Sequence, residues 1–263
     1  MSQPLNTWSR RVELNNCVVF VRPQSKHNAI TLLSGDSNNK ILTNVTHPVV
    51  AATLDSMSII LEEQWIIDTL PISQVGTLFS FLDYKSKSEK SCVELRDSQE
   101  NNAKLLLKTE RTVAMEINIM ANSLVEFFIL AKLKAGESKL EILNCFLRNV
   151  ESYWVSSFLL SQIMGNQYNG RRNKISEFCK DYGVSESYFR YLCHKAFSMG
   201  PKKQLRLWRA ANSVLQLMET NRAISTIAGD NGYASSSHFS TEIKLMFGFT
   251  PREFKKLEVF FHE

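Results

Sequence analysis

Two similar segments near the C-terminus constrain the fold more than any other part of the sequence. The first runs from Ile175 to Gly200 and the second from Ile224 to Thr250. Each begins with isoleucine and reaches a glycine, Gly183 or Gly232, eight residues later. Three apolar positions recur at an interval of 50 residues, as Phe189 and Phe239, Cys193 and Ile243, and Phe197 and Phe247. Such internal similarity predicts a duplicated structural unit.

Each segment carries the residue types that a helix-turn-helix requires. Cys179 and Ala228 are small enough to let two short helices cross closely. The glycines tolerate the positive φ of a tight turn. Ser185 and Ser235 then follow as N-caps of a second helix. The second copy has one extra residue between its glycine and its phenylalanine, and we interpret this as an insertion at the helix entry.

The segment between the copies, residues 201–218, predicts a single helix. It reads PKKQLRLWRAANSVLQLM, and Pro201 suits the first helical position because no N–H partner is needed there. At about 1.5 Å per residue the helix spans about 27 Å, close to the ~34 Å between successive major-groove faces of B-DNA. After the second copy, Thr250, Pro251 and Glu253 predict a capped final helix.

From about Glu151 to Lys256 the sequence resembles the DNA-binding domain of the AraC/XylS family of transcription activators. The motif residues that carry the resemblance are Leu205, Trp208, Arg209, Ile224, Ile227, Ala228, Gly232, Tyr233, Phe239, Phe247, Gly248 and Pro251. The stretches LRLWR and GYASSSHFS are similar to the InvF/MxiE-like branch, activators of type III secretion effector genes. The resemblance implies a seven-helix domain, promoter binding, RNA polymerase contact, and a secretion-chaperone coactivator.

The exposed faces of the two predicted recognition helices supply the candidates for reading bases. They are Glu186, Ser187, Arg190, Tyr191 and His194 in the first copy, and Ser236, Ser237, His238 and Thr241 in the second. Arg190 is the strongest candidate, because a guanidinium pairs bidentately with guanine. The short hydroxyl side chains of the second copy discriminate bases less well. We therefore predict that the first copy reads most of the sequence and that the second mainly docks.

Positive charge is concentrated in the part of the chain that contains the repeat. Residues 165–263 hold 15 Lys and Arg against 9 Asp and Glu, whereas residues 1–164 hold 16 against 17. The candidates for binding DNA phosphate are Lys195, Lys202, Arg206, Arg209 and Lys244. Such contacts fix position and affinity rather than sequence preference. An ordinary solvated surface charge is the alternative interpretation of each.

The sequence predicts an α+β protein of two domains, residues 1–150 and 151–263, with a β-then-α first domain and an all-α second domain. Residues 12–62 alternate short apolar runs with turn residues and predict strands. We predict helices at 72–84, 110–134 and 138–149, and a loop at 86–102. The first helix of the second domain opens near Glu151 and ends at Gly165, before a basic loop at 166–173. The helices at 110–149 present large apolar faces, either to a core or to a dimer or coactivator surface.

Composition argues against an enzyme, a metal site and a membrane protein. The five cysteines form no C-x-x-C pair, and the five histidines are scattered without a catalytic motif. Alkylation-repair methyltransferases share this type of DNA domain, but Cys17, Cys92 and Cys145 are isolated in sequence. We expect no catalytic residues, metal or cofactor, and a cytoplasmic location, since no apolar leader or membrane span appears. The alternative for regulation is a small-molecule ligand held by the N-terminal domain.

Overall fold

The computed structural model describes residues 9–24, 28–34, 40–85, 103–133, 140–164 and 174–257. The strands are β1 (Ser9–Pro23), β2 (Ala29–Ser34), β3 (Lys40–Thr43), β4 (Val49–Glu62), β5 (Trp65–Pro71), β6 (Ala103–Lys108) and β7 (Thr112–Ile117). The helices are α1 (Ile72–Lys85), α2 (Leu124–Leu133), α3 (Glu141–Arg148), α4 (Glu151–Met164), α5 (Ile175–Tyr182), α6 (Glu186–Phe197), α7 (Pro201–Glu219), α8 (Ile224–Asp230), α9 (Ser236–Phe247) and α10 (Pro251–Leu257). The chain divides into two compact units, Met1–Trp154 and Val155–Glu263.

The first unit is built on an antiparallel sheet in which β1 and β4 pair along most of their length. The other edge of β4 pairs with β7 over residues 49–53 and with β2 over residues 57–62. A register shift between Asn15 and Cys17 separates the two parts of the β1–β4 ladder. The sheet therefore has two halves that share the long strands β1 and β4.

The side-chain pattern of β1 follows from which faces of the sheet are buried. Val18 and Phe20 pack with the helices, whereas Val19 and Val21 pack into a second apolar cluster on the opposite face. Strand residues alternate between faces, so a strand that is buried on both sides is apolar at successive positions. The second cluster also contains Leu14 from the other half of the sheet. The predicted β-rich start of the chain, residues 12–62, is thus confirmed.

Helices α1, α2 and α3 cover the first face of the sheet, and a buried ion network joins them. The Asp83 carboxylate of α1 accepts hydrogen bonds from Arg148 Nε at 2.9 Å, from Tyr153 Oη at 2.9 Å and from Lys132 Nζ. Burial alone raises the pKa of Asp83, but the bonds from Arg148 and Lys132 outweigh it and hold that pKa below its ordinary value. Lys132 Nζ also lies 4.3 Å from the centroid of the Phe79 ring.

The predicted helix at 110–134 is wrong in its first half. Residues 112–117 form β7, whose two neighbours are β4 and β6. The apolar residues of this segment were compatible with a helical period, but strand pairing to β4 decides the outcome. Helix α2 begins only at Leu124, where Ser123 Oγ accepts a hydrogen bond from Glu126 N at 3.1 Å. Met120, which lies in the segment predicted to present a large apolar face, is 67% exposed.

The other predictions for the first unit have mixed outcomes. Helix α1 confirms the helix predicted at 72–84, and α3 accounts for residues 141–148 of the one predicted at 138–149. Strands β5 and β6 were not predicted. The predicted loop at 86–102 lies outside the described residues.

All the secondary structure described in the second unit is helical. Helix α4, whose first four residues belong to the first unit, begins at Glu151 as predicted. Its predicted end at Gly165 and the loop at 166–173 lie outside the described residues. At α10, Thr250 N donates to Glu253 Oε2 at 2.6 Å and Glu253 N donates to Thr250 Oγ1 at 3.3 Å. This reciprocal pair is the predicted capping box. The α+β class and the all-α C-terminal part are therefore confirmed.

Gly232 and Gly229 form a matched pair for testing the turn of the second copy. Gly232 has φ +73°, whereas Gly229 lies in α8 with nothing within 4 Å of an added Cβ. We expect Gly232→Ala to destabilise the protein by about 1 kcal/mol, because an L side chain is strained in the left-handed region. We expect Gly229→Ala to be neutral or stabilising. Thermal unfolding measures both, and an equal melting temperature for the two variants would contradict the assignment.

Candidate nucleic-acid interface

The first helix pair is held by a turn whose backbone hydrogen bonds match the sequence prediction. Helix α5 ends at Gly183, which has φ +80°, and Val184 N then donates to Cys179 O at 3.0 Å. Ser185 caps α6, since its Oγ accepts from Tyr188 N at 3.3 Å. Phe189 is buried on the inner face of α6. A left-handed glycine followed by a serine cap therefore turns the chain sharply into α6.

The second helix pair repeats this arrangement. Tyr233 N donates to Ala228 O at 3.0 Å, the counterpart of the bond between Val184 and Cys179. Ser235 Oγ accepts from His238 N at 3.1 Å. The extra residue of the second copy is Ala234, which stands between the buried Tyr233 and the cap. Helices α6 and α9 each contain 12 residues and start 50 residues apart, so the expected insertion at the helix entry is confirmed.

Helix α7 is the common support of both pairs. It contacts α6, α8, α9 and α10. Its 19 residues give a length of about 28 Å. Pro201 occupies the start of the helix as predicted. Buried amides fasten α7 to α8, with Asn212 Nδ2 donating to Asn231 Oδ1 at 3.1 Å and Asn231 Nδ2 donating to Gln216 Oε1 at 2.9 Å. The sequence analysis did not anticipate these amides.

All five residues predicted to read bases from α6 are exposed, namely Glu186, Ser187, Arg190, Tyr191 and His194. Arg190 forms an ion pair with Glu186 one turn earlier, and its Nε lies 3.1 Å from Glu186 Oε1. Tyr191 stacks on Tyr188, with ring centroids 6.0 Å apart. Tyr188 was missed in the sequence analysis although it is exposed on the same helix. The outer surface of α6 thus combines one arginine with two tyrosine rings.

The outer face of α9 is chemically different. Its predicted residues Ser236, Ser237, His238 and Thr241 are exposed. Thr241 Oγ1 donates to Ser237 O at 3.0 Å, so this hydroxyl is already engaged with the helix backbone. None of these four side chains carries a fixed positive charge. The prediction that the two copies contribute unequally to base reading rests on this difference.

The five predicted phosphate ligands fall into two groups. Lys195, Lys202 and Lys244 are exposed side chains. Arg206 and Arg209 of α7 instead approach the buried carboxylate of Glu242 on α9, at 2.9 Å from Arg206 Nε and 3.7 Å from Arg209 Nη2. The sequence analysis did not single out Glu242, because a glutamate within an apolar stripe does not show which side chains will form ion pairs with it.

The cysteines of the first pair behave as small apolar residues. Burial raises the pKa of the Cys193 thiol to about 12 and also raises the pKa of Cys179. Both thiols therefore stay protonated and unreactive at neutral pH. Within the described ranges, no group of three or more His, Cys, Asp or Glu side chains is placed to hold a metal ion. In the same ranges, none of the helices has the length and apolar character needed to span a membrane.

Two helix pairs with matching capped turns, supported by one long helix, define a helix-turn-helix DNA-binding domain. The family model described as "Helix-turn-helix domain" matches residues 178–257. Residues 178–257 therefore form a helix-turn-helix domain, in agreement with the resemblance seen in the sequence. This is a DNA-binding class.

Two named relatives are similar to part of the chain. The transcriptional regulator MxiE of Shigella flexneri is 41% identical over 111 residues, which cover 42% of this chain and 51% of that protein. The invasion protein InvF of Salmonella typhi is 35% identical over 132 residues, which cover 50% of this chain and 58% of that protein. The chain thus spans little more than half the length of these relatives.

A solved structure of an AraC-type transcriptional regulator from Chromobacterium violaceum is also similar. It is 22% identical and covers 41% of this chain and 94% of that one, with a TM-score of 0.37. A score this low does not by itself establish a common fold.

Arg190 provides the sharpest test of base reading by α6. We expect Arg190→Ala to weaken binding to a preferred duplex by about 1–3 kcal/mol and to relax the preference at one base pair. Arg222→Ala is the matched control, since Arg222 is an exposed arginine that also pairs with a carboxylate, that of Asp230. Fluorescence anisotropy against a series of single-base variants measures both effects. A uniform loss across all duplexes would show that Arg190 contacts phosphate instead.

Proposed function

We propose that this chain is a sequence-specific transcription activator that binds promoter DNA through its C-terminal unit. Recognition helices α6 and α9 occupy successive major grooves on one side of the duplex. The observation that carries this proposal is the repetition of one capped turn on both sides of α7, whose length of about 28 Å is close to one turn of B-DNA. A single chain then supplies the two reading helices that many helix-turn-helix proteins obtain by dimerising.

The charge distribution supports a nucleic-acid partner. The net positive charge of the chain arises from residues 165–263, the part that contains both helix pairs. Lys195, Lys202, Arg206, Arg209 and Lys244 are the proposed phosphate ligands. In the proposed mechanism the DNA-bound protein then contacts RNA polymerase at the promoter.

We propose genes of type III secretion as the targets, with a secretion chaperone as the coactivator. The support is the similarity of part of the chain to MxiE and InvF. Helix α2 of the first unit leaves Val125 and Ile129 exposed one turn apart. An apolar stripe on a helix suits a protein partner, either the chaperone or a second copy of the chain. The alternative is a small-molecule ligand bound by the antiparallel sheet of the first unit.

DNA binding is tested by selecting duplexes from a random-sequence pool with the full chain and footprinting the selected site. We expect two protected major-groove segments one helical turn apart. If about 5 phosphates are neutralised, log K should fall against log salt concentration with a slope of roughly −4.5. Changes in the half-site bound by α6 should cost more affinity than changes in the half-site bound by α9. A flat salt response, or a single protected segment, would contradict the proposal.

The two forms of regulation are separated by a paired binding assay. We expect the full chain to co-elute with a type III secretion chaperone from the same genome, and we expect Val125→Lys with Ile129→Lys to reduce the co-elution. Leu245→Lys is the control, because Leu245 is an exposed apolar residue of the other unit. A thermal shift with a metabolite, without chaperone binding, would favour the ligand-gated alternative.

A further inference from the structure

Glu242 is a carboxylate buried where the first copy of the motif has an apolar residue. Its side chain is only 2% exposed, and it lies between Phe239 and Ile243 on the inner face of α9. The repeat aligns Glu242 with Leu192, which is buried at the corresponding position of α6. Burying a charge is costly unless the charge is paired and hydrogen-bonded. The second copy has therefore replaced a favourable apolar contact with an interaction that requires partners.

The partners surround the carboxylate on several sides. Arg206 Nε donates to Glu242 Oε2 at 2.9 Å, and Arg209 Nη2 lies 3.7 Å from Oε1. Tyr233 Oη donates to Oε1 at 3.3 Å, and His238 Nε2 lies 3.8 Å from Oε2. Tyr233 is itself particular to the second copy, since Val184 takes its place in the first. Burial, followed by the charge of Glu242, raises the pKa of Tyr233 to about 12, so its hydroxyl remains a donor.

The negative charge of Glu242 lies below the protein surface, and the positive charge of Arg206 is exposed at that surface. Glu242 is enclosed, while the Arg206 side chain remains 49% exposed. Arg209 lies over the Tyr233 ring, with its guanidinium carbon 4.6 Å from the ring centroid. Two arginines share one carboxylate, so the group keeps a net positive charge. An arginine fixed in this way loses less conformational freedom on binding a phosphate than a free one does.

We propose that Glu242 is a positioning residue, which holds Arg206 and Arg209 as one rigid phosphate-binding group at the junction of α7 and α9. This inference rests on the proposed function. It explains how α9 docks although Ser236, Ser237 and Thr241, the residues at the start of its outer face, carry no charge and Lys244 lies only in its last turn. The phosphate group that it binds belongs to the DNA backbone beside the second half-site.

Removal of the Glu242 carboxylate should change the affinity for DNA in opposite directions, depending on whether net charge or the positioning of the arginines matters. Removing a negative charge from a DNA-binding surface should tighten binding if only net charge matters. Loss of the anchor should instead weaken binding, because Arg206 is no longer held in place. Glu242→Gln keeps the shape of the side chain without its charge. Glu242→Leu gives the second copy the residue that the first copy already has at Leu192.

The experiment uses the full chain and a duplex enriched by the wild-type chain from random-sequence DNA. We expect both variants to bind about tenfold more weakly and to show a salt slope shallower by about 1. Glu242→Leu should lower the melting temperature, since it removes one partner of a buried ion pair and takes the acceptor away from Arg209 and Tyr233 Oη, so affinity is measured well below that temperature. Asp230→Asn is the matched control: it removes an exposed carboxylate paired with an arginine, and it should leave affinity unchanged.

A combined-mutant test distinguishes positioning from a general structural role. If Glu242 acts through the two arginines, adding Glu242→Gln to the Arg206→Gln, Arg209→Gln variant should weaken binding no further. Unchanged or tighter binding by the single Glu242 variants would overturn the inference. Failure of Glu242→Gln to fold would also overturn it, because the carboxylate would then serve the fold. Salt-independent binding by the wild-type chain would instead refute the proposed function itself.

Discussion

The C-terminal unit depends on one backbone hydrogen bond that occurs twice. In each helix pair the N–H that follows the turn glycine donates to the carbonyl of a small residue in the preceding helix, at 3.0 Å from Val184 to Cys179 and at 3.0 Å from Tyr233 to Ala228. This bond is possible only if the intervening glycine adopts positive φ. Because it fixes the crossing of the two helices, it also fixes which face of the second helix points outward.

The two copies have kept this backbone geometry while their side chains have diverged. The first pair has an apolar interior with Leu192, and its outer surface carries Arg190 and two tyrosines. The second pair has an apolar interior that also holds the buried carboxylate of Glu242, which pairs with two arginines of α7. Helix α7 thus does more than span the distance between the two helix pairs, because it also supplies the arginines that pair with Glu242 in the second one. The backbone explains why both copies present a helix, and the side chains explain why the two surfaces are unlike.

The sequence predicted those features that depend on local chemistry. The turn glycines, the serine caps, Pro201 and the capping box at Thr250 each follow from residue types at fixed spacing, and the structure confirms them. The features it did not predict depend on distant partners. Residues 112–117 form a strand only because β4 pairs with them, and Glu242 is satisfied only by arginines of another helix. A cue for the start of α2 was nevertheless present, since Ser123 and Glu126 have the spacing of a capping pair.

The divergence of the two copies has a consequence for orientation. A dimer of identical chains has two-fold symmetry and binds a palindrome equally well in either sense. Unlike helix pairs carried on one chain have no such symmetry, so turning the proposed DNA complex end for end exchanges the helix that carries Arg190 for the helix that carries Ser236 and Ser237. The DNA element in that complex is asymmetric. If the protein contacts polymerase at one end, as proposed, its orientation on the DNA then sets the direction in which a neighbouring gene is read.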